Sequence, residues 1–447
     1  MKKLTFIFFT SLILGESNNA VMTIYKDGYA LVKQPVSWKE KKSPGIQTLR
    51  YQELPDGLVD DSPFLTLDKG QIMGQRYFGN LFSGTKYFIN MIGAEVTVGI
   101  EDGDEYTGVL LDYHTNSVTL QTRRDVISLN QIVFISHRNQ IGNPRINPLL
   151  EWDVNMENAS FISGNLAYLS YGFDWDAHYR LVLNESENSA DFISEANVIN
   201  QSRMNFNNLS LQLVEGNLRR PSAKSGLQPQ RYRSGRATAL DIAPELPSEE
   251  TLGDFHIFRP LKEKTDFIRG EKITVRLYET RSVSFEKMYV FENSERSKRE
   301  EPLNVEISFA NSENNNLNIP LPQGKVNLYY ENGASLEFAG EDYLRQIPKG
   351  ETATVKAGRA FDVIGKRTVL NYNRQQKSEE ASIEIVIKNK RETDIDVRIV
   401  EHIRGDWVVK EASENFTKKD ASTIHFPITV KSGSSNTLSY TYRKEWN

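Results

Sequence analysis

The stretch "YGFDWDAHYRLVL", residues 171–183, decides how the chain is interpreted. Side chains of an extended strand point alternately to its two faces, so residues two apart share a face. One face of this strand carries three polar side chains, Asp174, Asp176 and His178. The other face carries Trp175, Ala177 and Tyr179. The pattern predicts a strand with an apolar inner face and a polar outer face.

Two interpretations of the polar side stay open. The first is the solvated outer face of an ordinary sheet. The second is a metal site formed by Asp174, Asp176 and His178, because carboxylates and imidazoles are common metal ligands. Side chains that share a face of one strand start about 6.5–7 Å apart, so a metal site here would need ligands from a second strand. Acid/base catalysis by the same side chains is a weaker alternative.

Period-2 alternation recurs along most of the chain. It is clearest in "SIEIVIKN" from 382, "DIDVRIVEH" from 394, "NVEISFAN" from 304 and "KITVRLYE" from 272. Such runs predict half-buried antiparallel strands, and Gly, Asn and Asp separate them. The Asn332-Gly333 pair between two such runs predicts a hairpin. The fold class expected is all-β, with several β-sandwich domains.

Changes in composition divide the chain into seven predicted segments. A stretch with five short strands and Asp-Gly turns, residues 84–138, is typical of a small SH3-like or Sm-like barrel insert. The segment 217–252 lacks apolar periodicity, carries a basic cluster and is predicted to be a flexible linker. The segments are a signal peptide (1–20), an N-terminal β segment (21–83), the barrel insert (84–138), a β-sandwich part (139–216), the linker (217–252), a β domain (253–372) and an immunoglobulin-like C-terminal sandwich (373–447).

Composition excludes several classes of function. The 447 residues include 54 basic and 59 acidic side chains, for a net charge of −5, whereas proteins that bind nucleic acid usually have a basic excess. The chain has no cysteine, which excludes thiol catalysis, disulfides and Cys-ligated zinc. No phosphate-binding loop, nucleophile elbow or dinucleotide fingerprint occurs, so no cofactor is expected.

The N-terminus predicts export. Lys2 and Lys3 precede an apolar run from Leu4 to Leu14, and a polar stretch leads to Ala20. This is the order of a secretory signal peptide, and the apolar run is shorter than the ~20 residues that a membrane-spanning helix needs. We therefore expect a mature chain in the periplasm or outside the cell, with no transmembrane segment.

Several motifs together carry a resemblance to a known family. They include "VMTIYKDGYALVKQ" from 21, the signature Tyr171, Gly172, Trp175, Ala177 and Tyr179, and a later part containing Gly340, Glu341, Phe361 and Asp362. The chain resembles the bacterial domain-of-unknown-function family that also forms the C-terminal part of mucoidy-inhibitor-A-like proteins. Those proteins carry a central coiled coil, and here the barrel-like insert stands in its place. The resemblance implies a secreted β protein and names no activity.

Two functions are expected from these observations. The first is a non-catalytic binding or scaffolding role at the cell envelope, with a glycan or a protein as the partner. The second is a hydrolase acting on polysaccharide with carboxylates paired at a domain junction, for which Glu341, Asp342 and Asp362 are candidates.

Overall fold

The computed structural model is almost entirely β structure. Strands account for 66% of it and helices for 3%, in several sheets, which confirms the all-β prediction. Most of the predicted signal peptide, up to residue 15, and the predicted linker over 217–249 lie outside the described residues. The structure describes residues 16–138, 144–184, 188–216, 250–252, 255–292, 299–333 and 335–446.

The chain divides into two compact units, and each is built from separated segments. The first unit comprises Met1–Asp174, Ile199–Gln212 and Lys264–Glu271. The second comprises Trp175–Val198, Leu213–Glu263 and Lys272–Asn447. Three of the five division points, after residues 174, 198 and 212, fall inside strands, and the other two fall between strands.

The described residues between 16 and 171, in the first unit, form thirteen strands and one short helix. They are β1 (Glu16–Asn18), β2 (Val21–Tyr25), β3 (Tyr29–Lys42), β4 (Gly45–Tyr51), β5 (Phe64–Leu67), β6 (Gln71–Phe78), α1 (Gly84–Asn90), β7 (Glu95–Ile100), β8 (Glu105–His114), β9 (Ser117–Gln121), β10 (Val126–Asn130), β11 (Ile132–Ser136), β12 (Leu149–Met156) and β13 (Ser160–Tyr171). Strands β2, β3, β13 and β5 are neighbours in one sheet, and β4, β12 and β6 form another.

Strands β7 to β11 form a sheet of their own in the order β10-β9-β8-β7-β11. Its core contains Val96, Val98, Leu110, Val118, Leu120 and Leu129. The five strands lie inside the segment 84–138 that the sequence sets apart. The assignment of this segment to the SH3-like or Sm-like barrels stays a prediction, and so do the predicted domain boundaries.

Residues at the predicted end of the signal peptide take part in this unit. Strand β1 pairs in parallel with residues 205–207, and the Asn19 amide donates to the Asn207 carbonyl at 3.1 Å. Ala20 is fully buried. A mature chain that started at Val21 would therefore lack β1 and these contacts.

The described residues from 173 onward add nineteen strands and one turn of 3₁₀ helix, Glu313–Asn315. The strands are β14 (Phe173–Leu183), β15 (Ser189–Asn200), β16 (Asn205–Glu215), β17 (Glu250–Leu252), β18 (Phe255–Phe258), β19 (Thr265–Phe267), β20 (Lys272–Arg276), β21 (Arg281–Ser284), β22 (Glu286–Glu292), β23 (Glu301–Ala310), β24 (Gly324–Asn332), β25 (Ser335–Leu344), β26 (Thr352–Arg374), β27 (Ser378–Asn389), β28 (Ile395–His402), β29 (Asp406–Ala412), β30 (Thr417–Lys418), β31 (Thr423–Val430) and β32 (Ser435–Glu445).

Two sheets dominate the second unit. One has the order β20-β15-β14-β24-β25, and β21 also pairs with β15. The other has nine strands in the order β29-β32-β27-β26-β23-β22-β28-β31-β30. Strand β26 belongs to this larger sheet and runs without a break through residues 372 and 373, where the sequence predicts a boundary.

The apolar positions of the alternating runs form the core of the nine-stranded sheet. Ile383, Ile385 and Ile387 of β27 are buried, and so are Ile395, Val397 and Ile399 of β28. Their alternation with polar residues is what the period-2 pattern predicts. None of the helices in the described ranges has the length and apolar character that a membrane crossing requires.

Candidate functional site

Strand β14 has the two faces that its sequence predicts. Trp175, Ala177 and Tyr179 are buried, whereas Asp176 is exposed and His178 is half-buried. Tyr179 donates a hydrogen bond from its hydroxyl to the Pro322 carbonyl at 2.7 Å. Burial raises the pKa of Tyr179 well above its ordinary value, so it stays a neutral donor.

The inner side chains act as packing anchors. Trp175 donates from its indole N–H to the Val214 carbonyl at 3.3 Å, and its ring lies 6.0 Å from that of Phe258. The ring of Tyr179 stacks on Phe192 with 5.4 Å between centroids. Large rings whose polar atoms have buried partners are typical of a structural role.

The structure places the other family-motif residues at separate turns and bulges. Gly172 lies between β13 and β14 with a φ of +94°, which favours glycine. Phe361 and Asp362 lie in β26 where its register with β23 shifts, and the Phe361 side chain is 92% exposed. The Asp362 carbonyl accepts from the Lys390 amide at 2.9 Å. These positions shape the backbone at several places and do not converge on one site.

The outer side chains of β14 belong to a wider surface. In the parallel pairing of β14 with β24, His178 lies opposite Lys325 and Arg180 lies opposite Asn327. In the hairpin of β24 and β25, Lys325 lies opposite Tyr343, Asn327 opposite Glu341, and Tyr329 opposite Phe338. We call this surface the β14–β25 face. It comprises Asp176, His178, Arg180, Glu195, Arg276, Lys325, Asn327, Tyr329, Phe338, Glu341 and Tyr343.

A carboxylate held by two arginines lies at one side of the β14–β25 face. Glu195 is 5% exposed, and its carboxylate oxygens lie 2.5 Å from Nη1 of Arg180 and 3.1 Å from Nε of Arg276. His178 Nδ1 lies 3.8 Å from the same carboxylate. Burial, together with the charge of Arg180, lowers the pKa of His178 below its ordinary value. The group is therefore a compact ion-pair cluster beside a mostly neutral imidazole.

The carboxylates of β25 point in opposite directions. Glu341 forms an ion pair with Lys325 on the β14–β25 face. Asp342 points to the other side of the strand and accepts from the backbone amides of Lys356 at 2.7 Å and Tyr343 at 2.8 Å. Adjacent residues on opposite faces cannot flank one glycosidic bond, so Glu341 and Asp342 do not form the facing pair that such hydrolysis requires.

Aromatic rings border the charged part of the β14–β25 face. Tyr343 is 57% exposed and Phe338 is 59% exposed. The Phe338 ring packs edge-on against Tyr329 with 5.7 Å between centroids. The register of the hairpin shifts between Leu328 and Tyr329, and this irregularity places Phe338 opposite Tyr329.

The turn of this hairpin follows the sequence prediction. Asn332 pairs with Ser335, and Gly333 has a φ of +56°, the left-handed region that Asn-Gly turns favour. The predicted hairpin at Asn332-Gly333 is confirmed. It fixes which residues of β25 share a face with Lys325 and Asn327.

A family model matches residues 165–447, which include all of β14, β24 and β25. The family is described as a domain of unknown function, DUF4139. The chain belongs to the DUF4139 family. No curated protein sequence matches the chain.

In this DUF4139 member, the predicted metal ligand His178 lies among charged side chains. His178 lies near Glu195, Arg180 and Lys325. The positive charges of Arg180 and Lys325 disfavour a metal cation beside His178. Among the described residues, no group of three or more His, Asp or Glu side chains is placed to hold a metal ion. A site at Asp174, Asp176 and His178 stays a prediction.

Sequence reasoning missed two central residues of the β14–β25 face, Glu195 and Arg276. Part of their placement can be predicted from sequence, because Glu195 lies in "DFISEANVIN" and Arg276 lies in "KITVRLYE", and both runs partly alternate between apolar and polar residues. Alternation indicates that a polar side chain points away from the core. It does not indicate which distant strand lies next to it, so the ion-pair cluster appears only in the folded chain.

Proposed function

We propose that this DUF4139 member is a non-catalytic binding protein that works outside the cytoplasm and contacts its ligand with the β14–β25 face. One observation carries the proposal: exposed aromatic rings border charged groups that pair with one another. Surface aromatics grouped on a face with polar partners mark binding sites more often than solitary ones do.

The ion pairs of the carboxylates on this face support binding over catalysis. Glu195 is held between Arg180 and Arg276, and Glu341 is paired with Lys325. A general acid needs a carboxyl group that is free to approach the leaving-group oxygen, whereas these carboxylates are already engaged by cations. These carboxylates are therefore suited to holding the arginines and the lysine in position.

The N-terminal sequence supports a location outside the cytoplasm. Lys2 and Lys3 followed by the apolar run Leu4–Leu14 have the order of an export signal. A cell-envelope ligand is consistent with that location, and the absence of cysteine is compatible with it because large β cores need no disulfides.

The test is a binding screen of the full-length chain against cell-envelope fractions and isolated glycans, with released products assayed in the same samples. Binding without product is the expected result. Release of oligosaccharide would overturn the non-catalytic assignment in favour of the hydrolase, and lack of binding to every fraction would overturn the proposal as a whole.

Two variants locate the binding surface. Replacing Phe338 and Tyr343 together by Ser is expected to abolish binding of the protein to the envelope fraction or glycan that the unaltered chain binds. Phe361→Ser is the matched control, because it removes another exposed aromatic ring from β26, a strand of the other sheet. Equal loss in both variants would show that the β14–β25 face is not the binding surface.

A further inference from the structure

The charges of the β14–β25 face show no basic excess. Three cations, Arg180, Arg276 and Lys325, accompany three anions, Asp176, Glu195 and Glu341, and Asp174 and Glu331 add further acidic residues on the same sides of β14 and β24. All three cations are ion-paired, two with Glu195 and one with Glu341. A surface that binds a polyanion carries a basic excess, because neutralised phosphates or carboxylates supply the affinity. The lack of a basic excess therefore favours an uncharged ligand over a polyanion.

The positions of the two exposed aromatic rings indicate that the ligand lies along the β24–β25 hairpin. Phe338 lies opposite Tyr329 and Tyr343 lies opposite Lys325, four residues apart along β24. At a rise of about 3.3 Å per residue, the two positions are separated by about 13 Å. A ligand that touches both rings must be extended along the hairpin and must present apolar surface at two points.

Polar side chains fill the space between and beside the rings. Asn327 and Glu341 lie opposite each other between the two aromatic positions. His178 and Arg180 lie on the neighbouring strand, beside Lys325 and Asn327. Together these side chains provide amide, imidazole and guanidinium donors and carboxylate acceptors. Hydroxyl groups, which both donate and accept, match such a mixed set.

The ion pairs hold this polar set in place. The Arg180 and Arg276 side chains are 35% and 41% exposed, while the Glu195 side chain between them is 7% exposed. A guanidinium has five N–H donors, and each arginine approaches Glu195 through one nitrogen, so other donors remain for a ligand. Donors that are already positioned lose little conformational entropy when a ligand binds.

We propose that the ligand of the β14–β25 face is an uncharged saccharide chain that lies along the β24–β25 hairpin. Its sugar rings pack their C–H faces on Phe338 and Tyr343, and its hydroxyls contact Asn327, Glu341 and Arg180. A pyranose ring combines an apolar face with a rim of hydroxyls, which is the combination that this surface requires. The proposal rests on the binding function proposed above and names the ligand class for it.

The experiment measures affinity of the full-length chain for three uncharged polysaccharides, soluble starch, xylan and galactomannan, and for the polyanion alginate. Calorimetry at low and high salt gives the dissociation constant for each. We expect binding to at least one uncharged polymer, with little dependence on salt because no counterions are released. We expect no specific binding to alginate.

The variants separate ring stacking from general damage to the surface. Tyr343→Ala and Phe338→Ala are each expected to weaken binding by about tenfold, the loss typical of an anchoring aromatic residue. Phe361→Ala is expected to leave the affinity unchanged. Unaltered circular dichroism and melting temperature of each variant show that the fold is retained.

The outcomes distinguish this inference from the proposed function. Salt-sensitive binding to alginate alone, or binding to an uncharged polymer that both alanine variants retain, would overturn the saccharide proposal. If envelope fractions bind through Phe338 and Tyr343 but no uncharged polymer binds, the saccharide proposal fails and the binding function stands. If neither fractions nor polymers bind, both fail.

Discussion

Two buried glutamates with arginine partners differ in what surrounds them. Glu195 lies at the β14–β25 face, and its arginines reach solvent. Glu401 lies in the core of the nine-stranded sheet, where Arg367 Nε is 2.9 Å from Oε2 and the Tyr440 hydroxyl also donates to the carboxylate. Both Glu401 and Arg367 are almost completely buried. The first arrangement leaves donors for a ligand, and the second serves the fold.

Removing one partner of the core pair should be costly. Arg367→Met leaves the Glu401 carboxylate buried without its cation, and Glu401→Gln leaves the guanidinium without its anion. Each is expected to lower the free energy of unfolding by about 3–5 kcal/mol, and the double variant by less than the sum, since it leaves no unpaired charge. Urea unfolding followed by circular dichroism measures these values.

An exposed ion pair of the same sheet provides the control. Lys410 Nζ lies 2.7 Å from Glu380 Oε2, and both side chains are more than 40% exposed. Lys410→Met and Glu380→Gln should each leave the urea midpoint almost unchanged, because water screens the pair. Similar losses in the buried and exposed pairs would contradict the role assigned to burial.

The lowered pKa of His178 predicts how stability responds to acid. Burial, then the charge of Arg180, keep the folded-state pKa below the ordinary 6.5 of the unfolded chain. The unfolded chain therefore binds the proton first, so the stability from His178 is complete above about pH 6.5 and falls as the pH drops through that value.

His178→Gln should reduce this loss. Between about pH 7.5 and about pH 5.5, the urea midpoint of the variant should fall less than that of the unaltered chain. His425, whose pKa is also lowered by burial and by Arg398, contributes a similar fall that His425→Gln should remove separately. A His178→Gln chain with the full acid response would show that His178 titrates alike in both states.

At the scale of the element, β14 and β24 pair closely despite their separation in sequence. Gly324 begins β24 opposite Ala177, and a Cβ atom at this glycine would lie 2.2 Å from the Ala177 carbonyl oxygen. That distance is far inside van der Waals contact, and the atom it meets is backbone. Glycine at 324 therefore allows the two strands to align His178 with Lys325.

Gly324→Ala should disturb this pairing. We expect a loss of about 1–3 kcal/mol in the free energy of unfolding, the usual cost of overpacking, together with weaker ligand binding. Gly74→Ala in β6 is the matched control, because a Cβ atom there meets nothing within 4 Å. Unchanged stability in Gly324→Ala would show that the strands can move apart without cost.

At the scale of the whole molecule, the matched family region and the compact units do not coincide. The match begins at residue 165, inside β13, but Ile199–Gln212 and Lys264–Glu271 belong to the first unit. In these segments Phe206, Leu209 and Phe267 are fully buried, and the Ser210 amide donates to the Ala20 carbonyl at 2.9 Å.

A fragment of residues 165–447 is therefore expected to fold poorly. It would lack β1 and β2, which pair with β16, the strand that carries Phe206 and Leu209, so it should bind a hydrophobic dye and aggregate, whereas the full-length chain should do neither. Dye fluorescence and size-exclusion chromatography make the comparison. A monomeric fragment with a cooperative melting transition would show that the matched region folds independently.

The sequence by itself determined the strands, their inner faces and one hairpin. Trp175 and Tyr179, the isoleucines of β27 and the turn at Asn332-Gly333 follow from period-2 alternation and turn chemistry, because these signals act between residues close in the chain. Only the tertiary structure brought Glu195 and Arg276 beside Arg180 and set Phe338 and Tyr343 on one surface with them. Strand order and register depend on contacts between distant segments, and a single sequence does not encode those pairings in any local pattern.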